Sequence, residues 1–208
     1  MVIKQMNIFL SIASCIVLPL VLMSNATASV TLLTGGLNVD NGYTAYISTD
    51  DSISGTTLSS AVNWVDTQSI GTVDLTVGQD YFLHILADNI TGPAGFLGDF
   101  SLSGSNHMFS NGNTFLTTNT TDWLVSASGW GSYGAVTSYG TNGVSPWGDR
   151  TGVNSSAEWI WLPSVQNYQN AYFTTQISAT SAVPEPSIIA LMLGGLGLVG
   201  FMTRRKQA

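Results

Sequence analysis

The sequence predicts one all-β domain of sandwich or barrel type, flanked by an N-terminal signal helix and a C-terminal transmembrane helix. Short runs of alternating or continuous apolar residues recur through the middle of the chain, separated by clusters of Gly, Pro and Asn. Charged residues make up only 8% of the chain, so the Lys, Glu and Arg that helices favour are scarce. Uncharged apolar stretches stand near both ends, as export and anchoring segments require.

The amino end has the three parts of a secretory signal. Lys4 is the only charge in the first 39 residues, and an apolar stretch from Ile8 to Met23 leads to the small residues Ala26-Thr27-Ala28. This order predicts a cleaved signal peptide over residues 1–28. The sole cysteine, Cys15, lies inside it, so the exported domain is expected to fold without disulfides.

The exported part is strongly acidic and has the size of one domain. We assign residues 29–178 to that domain and 179–183 to a linker. Eleven acids face a single base, Arg150, which gives a net charge of −10. Such a surface repels phosphate backbones, so nucleic acid is excluded as a partner. The acids are Asp40, Asp50, Asp51, Asp66, Asp74, Asp80, Asp88, Asp99, Asp122, Asp149 and Glu158.

Seven segments have the length and pattern of strands. Thr72–Val77 and Tyr81–Ala87 are separated by a tight connection, so we expect these two to form a hairpin. The other five are Tyr43–Ile47, Gly98–Leu102, Trp123–Ser126, Glu158–Leu162 and Ala171–Ile177. Their spacing favours an antiparallel sandwich or barrel over alternating strands and helices.

Scattered motifs in the domain stand in a recognisable order. They are Asp40-Asn41-Gly42-Tyr43, Gly92-Pro93-Ala94-Gly95-Phe96, Ala157-Glu158-Trp159-Ile160-Trp161 and Tyr172-Phe173. Together they resemble the galactose-binding-like jelly-roll module of extracellular and carbohydrate-active proteins. The resemblance implies a jelly roll over most of residues 30–178. It departs from the family at Thr174, where an arginine often stands.

Four residues are the candidates for ligand binding. Trp130 and Trp147 lie in Gly- and Ser-rich stretches, where exposed rings can stack on sugars, and Asp88 and Asp149 can bond sugar hydroxyls. The structural alternative is that the rings pin loops, because large aromatic residues are usually buried. Trp159 and Trp161, two apart on a predicted strand, are expected on one face as core packing.

The sequence offers little for catalysis or metal binding. The domain has only His84 and His107 as imidazole bases, neither near a nucleophile elbow, so no catalytic residue is assigned. Calcium is the one candidate cofactor, with Asp40-Asn41-Gly42, Asp50-Asp51 and Asp88-Asn89 as oxygen ligands. Solvated turns are the alternative explanation of these three groups.

The carboxyl end is organised in three parts over residues 184–208. Pro184, Glu185 and Pro186 form an exposed, non-helical motif, since each proline removes a backbone donor. An apolar run from Ser187 to Thr203 follows. The basic tail consists of Arg204, Arg205 and Lys206.

The apolar run is short for a membrane span. From Ser187 to Met202 it has sixteen residues, against roughly 20 for a spanning helix, and the basic tail would bring it within range by snorkelling on the cytoplasmic side. The whole tail resembles the PEP-CTERM sorting signal of exopolysaccharide-producing Gram-negative bacteria. That resemblance implies a membrane anchor and processing by exosortase near the motif.

These features favour a non-enzymatic exported protein that is anchored in the inner membrane before processing and then enters the cell envelope or extracellular matrix. We expect exosortase, the membrane and a polysaccharide as partners, with glycan binding by the β domain. A glycosylated structural matrix component without a specific ligand is the alternative. A carbohydrate-active enzyme is the third hypothesis.

Overall fold

The computed structural model describes residues 30–180 and 191–198. Fourteen strands lie in the first of these ranges. They are β1 Thr31–Asp40, β2 Gly42–Ser48, β3 Thr56–Ala61, β4 Gln68–Ser69, β5 Val73–Leu75, β6 Tyr81–Asn89, β7 Gly95–Leu102, β8 His107–Phe109, β9 Phe115–Thr117, β10 Leu124–Ser126, β11 Gly134–Ala135, β12 Thr137–Thr141, β13 Glu158–Trp161 and β14 Gln169–Ala179.

The strands form two antiparallel sheets. Sheet A has the order β12-β13-β7-β1-β4, with β5 added to β1 and β9 to β7. Sheet B has the order β11-β10-β14-β6-β2-β3, with β8 added to β14. The predicted all-β sandwich is therefore confirmed, and its two sheets fit a jelly roll.

The predicted hairpin is wrong. β5 pairs with β1 in sheet A, whereas β6 pairs with β2 and β14 in sheet B. The short connection between β5 and β6 crosses from one sheet to the other, and the Tyr81 hydroxyl accepts a hydrogen bond from Thr76 N within it. Spacing along the chain could not distinguish a crossing between sheets from a turn within one.

The core lies between the sheets and is rich in aromatic side chains. The Phe96 ring of sheet A contacts Trp123 at 5.0 Å and Phe173 of sheet B at 5.1 Å between centroids. Gly35 of β1 leaves room for the Phe100 ring, because a Cβ at that position would stand 2.3 Å from it. Each such ring removes a large apolar area from water, which is how a domain without disulfides is stabilised.

A second, smaller cluster covers the outer side of sheet A. Its buried members are Leu97, Trp147, Val153, Ala157 and Trp159. Trp159 and Trp161 are both fully buried, as expected, but Trp161 belongs to the central core and Trp159 to this outer cluster. The expectation that they share one environment is therefore wrong.

The flanking segments are described only in part. Residues 191–198 form a helix of eight residues with exposed side chains, inside the expected span Ser187–Thr203. Among the described residues, no helix has both the length and the apolar character that crossing a membrane requires. The signal peptide at 1–28, the motif Pro184-Glu185-Pro186 and the basic tail lie outside the described residues. Strand β14 extends to Ala179, one residue into the expected linker.

Candidate functional site

A row of side chains crosses the outer face of sheet B. The register places Tyr46 and Thr174 on either side of His84, and Leu124 beyond Thr174. Because side chains alternate along a strand, Ile85 on β6 faces the core while His84 faces outward. The sequence therefore builds a polar and aromatic surface on the side of this sheet that faces away from the core.

His84 is fully buried although it faces outward. The loop between β2 and β3 covers it: Nε2 lies 2.9 Å from Asp51 Oδ1, and Nδ1 lies 3.3 Å from the Ser54 carbonyl oxygen. Both contacts are made with oxygen atoms of this loop, so the loop holds the imidazole at both of its ring nitrogens. His107 differs, because its nitrogens meet one carbonyl, that of Gln79, and one hydroxyl, that of Thr31.

Asp51 connects the covering loop to the sheet. Its Oδ1 also accepts a 2.6 Å hydrogen bond from the Thr174 hydroxyl, and its backbone oxygen accepts one of 2.7 Å from the Tyr133 hydroxyl. Burial, with a further contribution from the Asp51 carboxylate, raises the pKa of Tyr133 to about 12. The phenol therefore stays protonated and acts as a donor at neutral pH.

Trp130 closes the other side of His84. Their rings stack at 4.4 Å with planes 13° apart, and the indole makes near-perpendicular ring contacts with Tyr172 at 4.9 Å and with Tyr46 at 6.0 Å between centroids. Gly129 and Gly131, both at positive φ, flank Trp130 and allow the turn that lays its ring on the sheet. The indole is partly exposed.

A cleft of about 260 Å³ opens beside this cluster. Phe82, which stacks on His84 at 6.1 Å, and Leu124 give it apolar surface. Asp51 and Asp122 supply carboxylates, and Asp122 accepts a 2.9 Å hydrogen bond from the Asn119 amide. The remaining lining residues are Ser110, Thr121, Thr174, Thr175 and Gln176. An aromatic ring surrounded by hydroxyl, amide and carboxylate groups is suited to a polar ligand with an apolar face.

Trp147 is not available as an exposed ring. It is buried, stacks on Trp159 at 4.7 Å with planes 16° apart, and donates from Nε1 to Asp40 Oδ2 at 3.0 Å. Gly95 makes room for the pair, because a Cβ there would stand 2.6 Å from the Trp159 ring. The expectation of an exposed Trp147 is therefore wrong, and its loop-pinning alternative describes the structure.

Two charged residues, Asp40 and Arg150, border the outer cluster of sheet A. Burial raises the pKa of Asp40, while the Trp147 hydrogen bond and the Arg150 charge oppose that shift. The Arg150 guanidinium lies 5.0 Å from the Trp64 ring centroid and donates to the Val65 carbonyl oxygen at 2.8 Å. These contacts tie the long loop between β12 and β13 to sheet A.

The two predicted acidic residues lie apart from the cleft lining. Asp88 is half-buried on β6, opposite Gly42 and Asn170, and burial raises its pKa. Asp149 is exposed in the loop that carries Trp147. Of the four candidates, Trp130 alone contacts the cluster on sheet B, so the predicted set does not surround one pocket.

The three candidate calcium groups have other roles among the described residues. Asp40 accepts from Asn41 and Trp147, and Asp50 accepts from the backbone and hydroxyl of Ser52. Residues 30–180 and 191–198 contain no group of three or more His, Cys, Asp or Glu arranged to hold a metal ion. The solvated-turn interpretation fits Asp50, whereas Asp40 is a buried residue at the end of β1.

Sequence reasoning did not assign Asp51, Phe82, Asp122 or Thr174 to a ligand-binding site, although it named Asp51 as a possible calcium ligand. Phe82 and His84 alternate with core residues of β6, so their outward direction could have been found from the strand pattern. The approach of Asp51 from 33 positions away in the chain leaves no such local signal.

Comparison with known proteins identifies the carboxyl end. Residues 182–206 match the family model of the PEP-CTERM protein-sorting motif. No curated protein and no solved structure matches the chain. The motif indicates an exported protein of the envelope or extracellular space that exosortase recognises and that is processed at its C-terminus.

Proposed function

We propose that this protein is a non-enzymatic component of the envelope or extracellular matrix, delivered by exosortase, whose β-sandwich binds glycan on the outer face of sheet B. The observation that carries the proposal is the cleft of about 260 Å³ beside the stacked rings of Trp130, His84 and Phe82. The sorting motif supports delivery of this domain to the envelope or extracellular space. We expect polysaccharide to be the ligand available to it there.

The surface chemistry favours a neutral glycan. Sugar rings have an apolar face that packs on aromatic rings and hydroxyls that bond to carboxylates, hydroxyls and amides. The described part of the chain has one Lys or Arg side chain, Arg150, and it is engaged at Trp64, which packs against the outer cluster of sheet A. A uronate-rich or phosphorylated polymer would therefore meet a net repulsive field with no cation at the cleft.

Retention on immobilised polysaccharide tests the binding proposal. The full-length protein in detergent is passed over beads carrying neutral galactan, mannan or cellulose and over alginate beads. We expect retention by at least one neutral polymer and loss of that retention in Trp130→Ala. Trp64→Ala is the matched control, since Trp64 is also partly buried but packs on sheet A. Equal retention of wild type and Trp130→Ala would favour the structural matrix alternative.

One observation favours an enzyme as the second candidate. Asp51 and Asp122 line the same cleft, and a glycosidase needs two carboxyl groups across the bond it cleaves. Both carboxyl groups, however, are already engaged by neighbouring side chains, Asp51 by His84 and Thr174 and Asp122 by Asn119, which suits a structural role. We therefore expect no release of reducing ends from any bead-bound polymer. If wild type did release reducing ends and Asp122→Asn did not, hydrolysis would replace glycan binding as the proposed function.

Processing of the tail is testable in the same protein. Mass spectrometry of the exported form should show removal of the segment after Pro184-Glu185-Pro186, and a strain without exosortase should retain it. Glu185→Ala should slow the cleavage because it alters the sorting motif. An intact C-terminus in the secreted wild-type protein would contradict processing and leave the anchor permanent.

A further inference from the structure

One end of the sandwich presents a tyrosine in an unfavourable backbone conformation. Tyr168, which precedes β14, has φ of 57° and 84% of its surface exposed. A bulky residue in the left-handed region is a genuine outlier, whereas Gly or Asn adopts it readily. Such a residue usually persists because the surrounding structure enforces it, and outliers of this kind concentrate at functional sites.

Hydrogen bonds hold the Tyr168 loop against the loop after β6. Tyr168 N donates to the Ile90 carbonyl oxygen at 3.2 Å, and the Asn89 amide donates to the Gln166 carbonyl oxygen at 2.9 Å. Asn167 Oδ1 accepts from a backbone N–H across the same junction at 3.2 Å. The backbone at Tyr168 is therefore held in place by contacts that do not involve the exposed ring.

The chemistry around Tyr168 suits a sugar. Residues 163–172 and 89–98 contain no charge, although the exported domain carries a net charge of −10. Gln166 and Asn170, each two positions from Tyr168 in the chain, are exposed amides, and amides both donate to and accept from hydroxyl groups. The exposed apolar neighbours are Ile90 and Val165, far less surface than the roughly 1,000 Å² that a specific protein interface needs.

The end of the sandwich that carries Tyr168, here called the tip, lies well away from the cleft along the same strands. Asn89 pairs with Gln169 at the tip, and Phe82 pairs with Gln176 at the cleft. Seven residues of β6 separate the two pairs, which corresponds to about 24 Å along the strand. A short oligosaccharide cannot span this distance, whereas a polysaccharide chain can engage both places and gain affinity from the second contact.

We propose that Tyr168 and its flanking amides form a second glycan contact, which makes the domain selective for polysaccharide over oligosaccharide. This inference rests on the proposed glycan-binding function, and it concerns a part of the molecule that is separate from the cleft. The tip stacks one sugar ring on Tyr168 while the cleft region holds another part of the same polymer.

The test substitutes Tyr168→Asn, which removes the ring and suits the left-handed backbone, with Tyr168→Phe as the control that keeps the ring. Using the full-length protein, we expect Tyr168→Asn to weaken retention on the bound polymer about 10-fold. Affinity for its tetrasaccharide should be unchanged. The Tm should rise by about 2 °C as the backbone strain is relieved. Tyr168→Phe should keep most of the polymer affinity.

The outcomes separate the two proposals. Retention that is lost in Trp130→Ala but unchanged in Tyr168→Asn overturns the second contact and leaves the cleft. A fall in Tm for Tyr168→Asn also overturns it, because the ring would then be a structural anchor. Failure of wild type to bind any polysaccharide overturns the proposed function and this inference together.

Discussion

Removing the Asp51 carboxylate should destabilise the domain far more than removing the adjacent Asp50 carboxylate. Asp51→Ala deletes the acceptor of the 2.9 Å His84 contact and of the 2.6 Å Thr174 hydrogen bond. Hydrogen bonds to charged groups contribute about 1.5–3 kcal/mol each, and a buried donor left without a partner adds a desolvation cost. The Asp51 side chain is 33% exposed, which lowers the total. We expect a loss of about 3 kcal/mol in the free energy of unfolding.

Denaturant unfolding at neutral pH, followed by tryptophan fluorescence, measures this loss. Asp50→Ala is the matched control, because Asp50 is exposed and caps only the local turn at Ser52. A cycle of Asp51→Ala with Thr174→Val should give a coupling of about 1 kcal/mol. Equal destabilisation by the Asp50 and Asp51 substitutions would refute the view that Asp51 fastens the covering loop to sheet B.

Three further predictions concern stability and titration. Gly95→Ala should lower the free energy of unfolding by about 1–3 kcal/mol, because the added Cβ would meet the Trp159 ring. Gly134→Ala is the control, since the added Cβ has open space there and should leave the stability nearly unchanged. Equal Tm values for the two variants would contradict the tight packing at Gly95. Burial raises the pKa of Asp88 above 3.8, its ordinary value, which we take for the unfolded chain. The neutral carboxyl group therefore stabilises the folded state below pH 3.8, and this contribution is lost as the pH rises through the folded-state pKa. Asp88→Asn should therefore be the more stable protein at pH 7, with the difference closing near pH 3, and a constant difference across pH would argue against that cause. Tyr133 should ionise near pH 12, and the absorbance step there should vanish in Tyr133→Phe; because its unfolded-state pKa is near 10, stability should fall as pH rises from 10 to 12.

Much of the fold could be predicted because strands have local signals. The expected strands around β2, β6, β7, β10, β13 and β14 were found within a few residues of their observed bounds. Strand β1 was missed, since Gly35 and Gly36 interrupt its apolar pattern; a Cβ on Gly35 would stand 2.3 Å from the Phe100 ring on the facing strand. The pairing of β5 with β1 depends on which sheet each strand joins, which local pattern does not encode.

The site was less predictable because its members meet through tertiary contacts. Exposure of aromatic residues in Gly-rich loops was inferred from composition, and Trp130 and Trp147 share that composition. They differ because Trp147 finds a partner for its N–H in Asp40 and a ring to stack on in Trp159, so it is buried. Trp130 stacks on a histidine that is itself held by a loop distant in the chain. No feature of the two local sequences distinguishes these outcomes.

Ligand-induced change in tryptophan fluorescence tests the central claim most directly. The chain has six tryptophans, and Trp130 is the one that contacts the proposed glycan face on sheet B. A neutral polysaccharide that the protein retains should change the emission of wild type and of Trp64→Phe. It should leave that of Trp130→Phe unchanged. A change of equal size in Trp130→Phe would place the ligand elsewhere and contradict binding on the outer face of sheet B.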